Sequence, residues 1–405
     1  MLDNPPAYVQ SYEAEAETSA AALQYVTKAG NVVRVGFKYN ANFDMWIEFK
    51  PGGVNQLMAL GNIYLIRNSA QEVDPNPAFP RAVTLTVTGS DWVGPYIMRA
   101  AVNGNGESPK FTGGWHGSNG DGTGKATART VSWQVAADGK AFTEDGTIAA
   151  REVTVSVVNR IQAYNTKPTG DFPLREVVEE RVQYAVRRGT VDVQVEIEAL
   201  EDIVIERYYG LQSINSGHNG TIHYVNGDVQ DRKKTPNASN DSGPLYKAPD
   251  VSRYALRSAS RLHNLVVWLD RSFGLGDMKN VPVSLPAAFT ASYGKSYFNL
   301  IRSDLPVAAG EKVAWRGGWI FSPGLPSPGD LAYIYHGKTP ADDRLVIDFL
   351  AAGGEGYCTL PAEYSGKKVA VLSASPGVTA GEAVSADGKL WVRAEGYGSV
   401  VIAFQ

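Results

Sequence analysis

The chain has 405 residues, 43% of them apolar and 20% charged, with a formal net charge of -4. That balance fits an ordinary globular protein and excludes a disordered chain; no apolar run reaches the roughly 18 residues of a membrane-spanning helix, so no membrane insertion is expected. The nearest basic cluster, Arg232-Lys233-Lys234, lies in a polar stretch and is too small for a nucleic-acid footprint, while the single cysteine, Cys358, permits neither an internal disulfide nor a Cys-rich metal site and is expected to fill core space.

Met1 to Pro6 lacks the charged and apolar regions of a secretory signal. Tyr12 to Val26 is rich in strong helix formers and follows Pro5-Pro6, which predicts one amino-terminal helix within a docking segment, residues 1–29. From Asn31 the pattern changes to period two. Val33, Val35, Phe37 and Tyr39 alternate with Arg34, Gly36 and Lys38; Phe43, Met45, Ile47 and Phe49 then alternate with Asp44, Trp46 and Glu48, predicting two half-buried strands. Strand-like runs follow at Ile63 to Ile66, Ala82 to Thr88, Tyr96 to Val102, Thr130 to Ala136 and Glu152 to Val158, and Ala137-Asp138-Gly139-Lys140 is a hairpin turn. Residues 30–168 are expected to form a first β unit, with Asn165 to Pro173 as a connection.

The second unit, residues 169–322, opens with Val191, Val193, Val195 and Ile197 alternating with acidic and polar residues, then Asp202 to Tyr209. A long polar region from Gln212 to Asp250 is broken only by Thr221 to Val225; loops of this length are usually functional or disordered. Leu262 to Leu269, Ala287 to Ala291 and Lys312 to Phe321 complete the unit. Pro323, Pro326 and Pro328 cannot lie in a central strand and mark a boundary, after which residues 323–405 form a linker and a small carboxy-terminal β-sandwich. The expected fold class is all-β: two large antiparallel β-sandwich-like units, the small sandwich and one amino-terminal helix.

Function is expected first in a glycine-rich loop. Six of the thirteen residues from Thr112 to Gly124 are glycine, and Trp115, His116, Asn119 and Asp121 stand among them. Such a mixture lets backbone approach a ligand closely. The loop is not a phosphate cradle, because Gly124-Lys125 is followed by Ala126 and Asn119 stands where the first glycine belongs. Nor is it an EF-hand, since the twelfth position from Asn119 is Thr130. A Trp plane beside polar side chains and close backbone suits a saccharide, whose apolar faces are edged by hydroxyls.

Other chemistry is sparser. On a strand, Asp44 and Glu48 are too far apart for a glycosidase pair, and Glu196 with Glu198 reads as the solvated face of a sheet. His218 and His223 are five apart, which on a strand sends them to opposite faces and argues against a metal site. No motif calls for a cofactor. Around the long loop, Arg207, Tyr208, Tyr209, His218, His223, Tyr224 and Arg232 supply the cation, base and phenolic acid that proton abstraction from a uronic-acid polysaccharide requires. No Gly-x-Ser-x-Gly elbow occurs.

Thr112-Gly113-Gly114 with His116-Gly117, Thr127-Ala128-Arg129-Thr130, Ala137-Asp138-Gly139 and Glu206-Arg207-Tyr208-Tyr209-Gly210-Leu211-Gln212 resemble segments of tail-associated adsorption proteins of tailed bacteriophages. The resemblance covers roughly residues 30 to 325, although no parallel β-helix repeat is present. It implies an extracellular virion protein that meets host-surface glycans, by binding or by depolymerising them, and works beside other virion subunits or copies of itself. Two functions follow as expectations: a glycan-recognising adsorption protein, and a polysaccharide lyase or glycoside hydrolase, secreted or virion-borne.

Overall fold

The computed structural model describes residues 8–10, 24–40, 42–166, 175–187, 189–225, 230–233, 253–258, 263–291, 293–323, 333–336, 344–349, 354–360, 364–394 and 398–405. The described chain is all-β and every strand pairing in it is antiparallel; its only helical pieces are short 3-10 turns such as Phe79–Arg81 and Gly274–Asp277.

Two large sheets face one another. One has six strands in the order Gly146–Ala150, Gln24–Ala29, Val32–Asn40, Phe43–Gly52, Leu57–Arg67 and Val83–Thr86. The other has ten and runs from Gln230–Lys233 at one edge, through Thr221–Val225, Arg253–Arg257, His263–Leu269, Lys312–Pro323, Thr190–Ala199, Glu176–Arg187, Val153–Gln162 and Ala128–Ala137, to Lys140–Ala141. Alternation explains the packing: Val33, Val35, Phe37 and Tyr39 from the first sheet and Val191, Val193, Val195 and Ile197 from the second enter one continuous core. Phe49 meets Tyr184 across the interface, with ring centroids 5.2 Å apart. The hairpin expected at Ala137–Lys140 forms, with Asp138 and Gly139 both at positive φ, as a primed turn requires.

Three expectations change. The helix read over Tyr12 to Val26 lies mainly outside the described residues, but its end does not: Gln24–Ala29 is a strand paired on both sides. The β-favouring run Tyr25-Val26-Thr27, bonded to two neighbours, outweighs the Ala-rich stretch before it. The line drawn at residue 168 does not separate two cores, because Val153–Gln162 pairs with Glu176–Arg187 across it and both sides enter the same core. The strand Phe43–Gly52 is buried on both faces, not one: Asp44, Trp46 and Glu48 are as enclosed as Met45 and Ile47. Trp46, Ile66 and Val73 form a small outer core there, and Asp44 accepts from Asn68 Nδ2 and the Asp74 amide.

A separate core, built from residues between Leu345 and Ile402, lies in the carboxy-terminal part and encloses Cys358. Its strands form a sheet ordered Tyr8–Gln10, Tyr333–His336, Arg344–Phe349, Gly398–Phe404 and Val369–Ala374, and a second sheet of Gly354–Thr359, Lys389–Ala394 and Val378–Val384. Pro323 does stand in a strand central to its sheet, but only as the last residue of Lys312–Pro323, opposite His263, where the strand stops; Pro326 and Pro328 lie outside the described residues. Two three-stranded sheets complete the fold and carry the candidate site: Leu305–Val307, Ile203–Tyr208 and Tyr96–Ala100; and Gln212–Ile214, Lys295–Phe298 and Ala288–Ala291.

Candidate functional site

A cleft of about 830 Å³ opens where four segments converge: residues 87–95, the start of the glycine-rich loop, the chain from Tyr209 to Asn219, and the hairpin that carries Tyr293 to Tyr297. Its polar floor is organised by Asp91, which is 2% exposed. The Asp91 carboxylate accepts from the Trp115 amide at 2.5 Å and from Ser90 Oγ at 3.3 Å. It lies 3.4 Å from His116 Nδ1, without the alignment of a hydrogen bond, and 3.9 Å from Lys295 Nζ. Lys295 Nζ donates to Ser90 Oγ at 2.8 Å. Gly114 makes the Trp115 contact possible: it sits at a φ of +51°, and a Cβ there would stand 2.1 Å from Asp91 Oδ1.

The base of the glycine-rich loop is clamped from behind by Asn55. Its Nδ2 donates to the Gly114 and His116 carbonyls at 2.8 and 3.0 Å, and its Oδ1 accepts from the Thr127 amide at 2.6 Å. Thr127 Oγ1 donates to the His116 carbonyl and accepts from the Gly113 amide. His116 is thereby fixed in the cleft wall beside Phe111, with ring centroids 5.3 Å apart.

The facing wall is aromatic. Tyr209 lies 4.9 Å from Tyr297 and 5.5 Å from Phe289, Tyr297 stacks on Phe289 at 4.8 Å, and the hydroxyls of Tyr293 and Tyr297 are 2.7 Å apart. Gln212 completes the lining. It is fully buried, yet neither its Nε2 nor its Oε1 has a hydrogen-bond partner, an arrangement that costs about 1–3 kcal/mol when nothing fills it.

Burial dominates the titration of these groups. It lowers the His116 pKa despite the opposing Asp91 charge, so the imidazole is neutral at pH 7. It brings the Lys295 ammonium down to about 8, again against Asp91, and pushes the Tyr297 phenol far up, helped by the Tyr293 hydroxyl. Behind Tyr209, the Arg302 guanidinium lies 5.7 Å from the ring centroid; burial first, then Arg207, lowers its pKa. Among the described residues neither Arg207 nor Arg302 forms an ion pair; Arg302 donates to Asn299 Oδ1.

The residues singled out from sequence divide. His116 and Tyr209 line the cleft. Trp115 adjoins it but faces elsewhere: its ring packs on the turn at Gly52 and Gly53, where a Cβ on Gly53 would stand 2.6 Å from the Trp115 Cα. Asn119 and Asp121 sit on the exposed loop tip and bond to Thr123, which lowers the Asp121 pKa. Tyr208 is a core residue, stacked on Tyr96 at 4.3 Å and accepting from Trp315 Nε1, and the charge of Arg207 helps lower the Arg302 pKa. His218 is fully buried, its pKa pushed down to about 3 by burial, while its neighbours Ser216 and Asn219 line the cleft. His223 is on the strand Thr221–Val225, with its side chain outside the described residues, as are the side chains of Tyr224 and Arg232. Glu196 and Glu198 pair with Arg181 and Lys312 on the sheet's outer face.

Asp91, Ser90, Lys295, Tyr297 and Gln212 are absent from the sequence-based set. Only Gln212 carried a signal, as the last residue of the Glu206–Gln212 segment.

No family model matches the chain, and no curated protein matches it. Among solved structures it is similar to the GH36 α-galactosidase AgaB from Geobacillus stearothermophilus, at 10% identity and a TM-score of 0.35, over 76% of this chain and 41% of that one. It is also similar to the α-galactosidase from Lactobacillus brevis, at 10% identity and a TM-score of 0.38, over 74% of this chain and 40% of that one. Heparinase III matches at 10% identity and a TM-score of 0.29, over 80% of this chain and 40% of that one. The chain thus spans about two fifths of the length of these structures.

Proposed function

We propose that the cleft binds saccharide units of a cell-surface or extracellular polysaccharide. The observation that carries this reading is the pairing, within one open cleft, of an aromatic wall around Tyr209 and Tyr297 with a fixed polar floor that includes the unpartnered Gln212 amide. Aromatic faces take the apolar faces of sugar rings, and side-chain amides and hydroxyls take the hydroxyls at their edges. Calorimetric titration of the protein with a panel of neutral and acidic oligosaccharides tests it. Saturable binding to at least one member, weakened about three- to tenfold by Tyr209→Ala, is expected; no binding anywhere in the panel overturns it.

The setting we propose is host adsorption by an extracellular virion component, a reading supported by the phage-like segments. Repeated copies, or neighbouring tail subunits, would convert weak sites into avid ones. Soluble protein is expected to compete with virions for the host surface; undiminished adsorption at saturating protein contradicts that setting while leaving saccharide binding in place.

A further inference from the structure

We propose that this cleft also acts on its ligand, as a β-eliminating site for uronate-containing polysaccharide, with His116 as general base and Tyr297 as general acid. The inference rests on the saccharide-binding reading and adds chemistry to it. Three independent features of the cleft carry it.

The first is the base. His116 Nδ1 lies 3.4 Å from the buried Asp91 carboxylate, and although the two are not aligned as a hydrogen bond, that negative charge favours the proton on Nδ1 and the basic lone pair on Nε2. The imidazole is only partly buried and borders the cleft, where a sugar ring against Tyr209 would lie beside it.

The second is positive charge without a full complement of carboxylates. Lys295 sits in the floor, and among the described residues its one ion-pair partner is Asp91, at 3.9 Å. Just behind Tyr209 stands Arg302, whose pKa is lowered first by burial and then by the Arg207 charge; neither arginine forms an ion pair among the described residues. Lys295 over the Tyr297 ring and Arg302 over the Tyr209 ring thus put positive charge on both aromatic residues, while among the described residues Asp91 is the one carboxylate paired with either. A neutral sugar leaves that excess unanswered; a uronate carboxylate answers it, and the Gln212 amide supplies a neutral donor to the same group. This charge also does chemical work, because withdrawing electron density from the carboxylate acidifies the proton on the adjacent carbon.

The third is the acid. Tyr297 keeps its phenolic proton, is held by the Tyr293 hydroxyl, and faces the same space. In the step, His116 Nε2 takes the proton α to the uronate carboxylate, and the released electron pair forms a double bond to the β carbon. The bond from that carbon to the glycosidic oxygen breaks with its electrons, and the leaving oxygen takes the Tyr297 proton. Solvent returns a proton from imidazolium to phenolate. Neither water nor an oxidant is consumed, and the chain is cut into a new end and an unsaturated uronate.

The full-length protein is incubated with polygalacturonate, alginate and hyaluronan, following the ultraviolet absorbance of the unsaturated product and, in parallel, calorimetric binding. Absorbance is expected to grow with at least one polymer, and to fall about 100-fold or more in His116→Ala and in Tyr297→Phe while binding is retained. Should either variant fail to fold, the other carries the test. Binding without any product overturns the elimination and leaves the saccharide reading intact, and new reducing ends without absorbance overturn it in favour of hydrolysis. Absence of both binding and product overturns both.

Discussion

The two ends of the glycine-rich loop share a composition and differ in everything that matters for function. At its base, Gly113, Gly114 and His116 are tied to Asn55, Thr127 and Asp91, and their bonds reach residues distant in the chain. At its tip, Gly117 to Lys125 bonds to itself: the Gly117 amide to the Asp121 carbonyl, the Ser118 amide to the Lys125 carbonyl, and Asn119 and Asp121 to Thr123. Glycine density marks where backbone is permitted to approach something closely. Which end is approached depends on buried partners that come from elsewhere in the sequence.

The largest effect should come from removing the group that the base is built on. Asp91→Ala strips the Trp115 amide of its acceptor and leaves the Lys295 ammonium buried without a counter-charge, so a loss of about 3–5 kcal/mol is expected in urea unfolding. A loss near zero would mean that the base is no more anchored than the tip. Gly53→Ala forces a side chain onto a backbone at a φ of +67° and against Trp115; about 1–3 kcal/mol should be lost, and cleft binding should weaken with it.

A subtler test uses pH. Lys295 carries its charge below about 8 and loses it above, so affinity for an acidic saccharide should decline as pH rises through that value, with neutral ligands much less affected. Titrations at several pH values check this, and equal responses of both ligand classes would remove Lys295 from recognition. At the small end, Asp121→Ala should leave the urea unfolding midpoint where it is in the wild type, because the side chain is exposed and bonds only within the tip; a clear downward shift would show that the tip too is anchored.

How much of this was legible in the sequence follows from the range of the interactions. Period-two patterning is local, so the strands Val32–Asn40 and Thr190–Ala199, and the all-β class, could be read directly. The extra burial of Asp44 and Trp46 could not, because what covers them is a segment more than twenty residues away in the chain, nor could that of Glu48, which is held by Arg34 and Tyr64 of the adjacent strands. The site shows the same split. His116 and Tyr209 announced themselves by their neighbours in sequence, whereas Asp91 and Lys295 are separated by about two hundred residues and acquire meaning only when the fold places them 3.9 Å apart. Trp115 shows the same dependence on distant residues: its loop suggests a sugar platform, and the fold places its ring against Gly52 and Gly53 of a turn about sixty residues earlier.

The central claim, that recognition resides at the clamped base and its aromatic wall, not at the loop tip, is tested most directly by comparing two double variants. Tyr209→Ala with Tyr297→Ala, and Asn119→Ala with Asp121→Ala, are titrated calorimetrically with a saccharide that the wild type binds, at matched folded fraction. The cleft pair should lose about tenfold or more in affinity and the tip pair should bind as wild type does. Weakened binding by the tip pair with wild-type binding by the cleft pair would contradict the account.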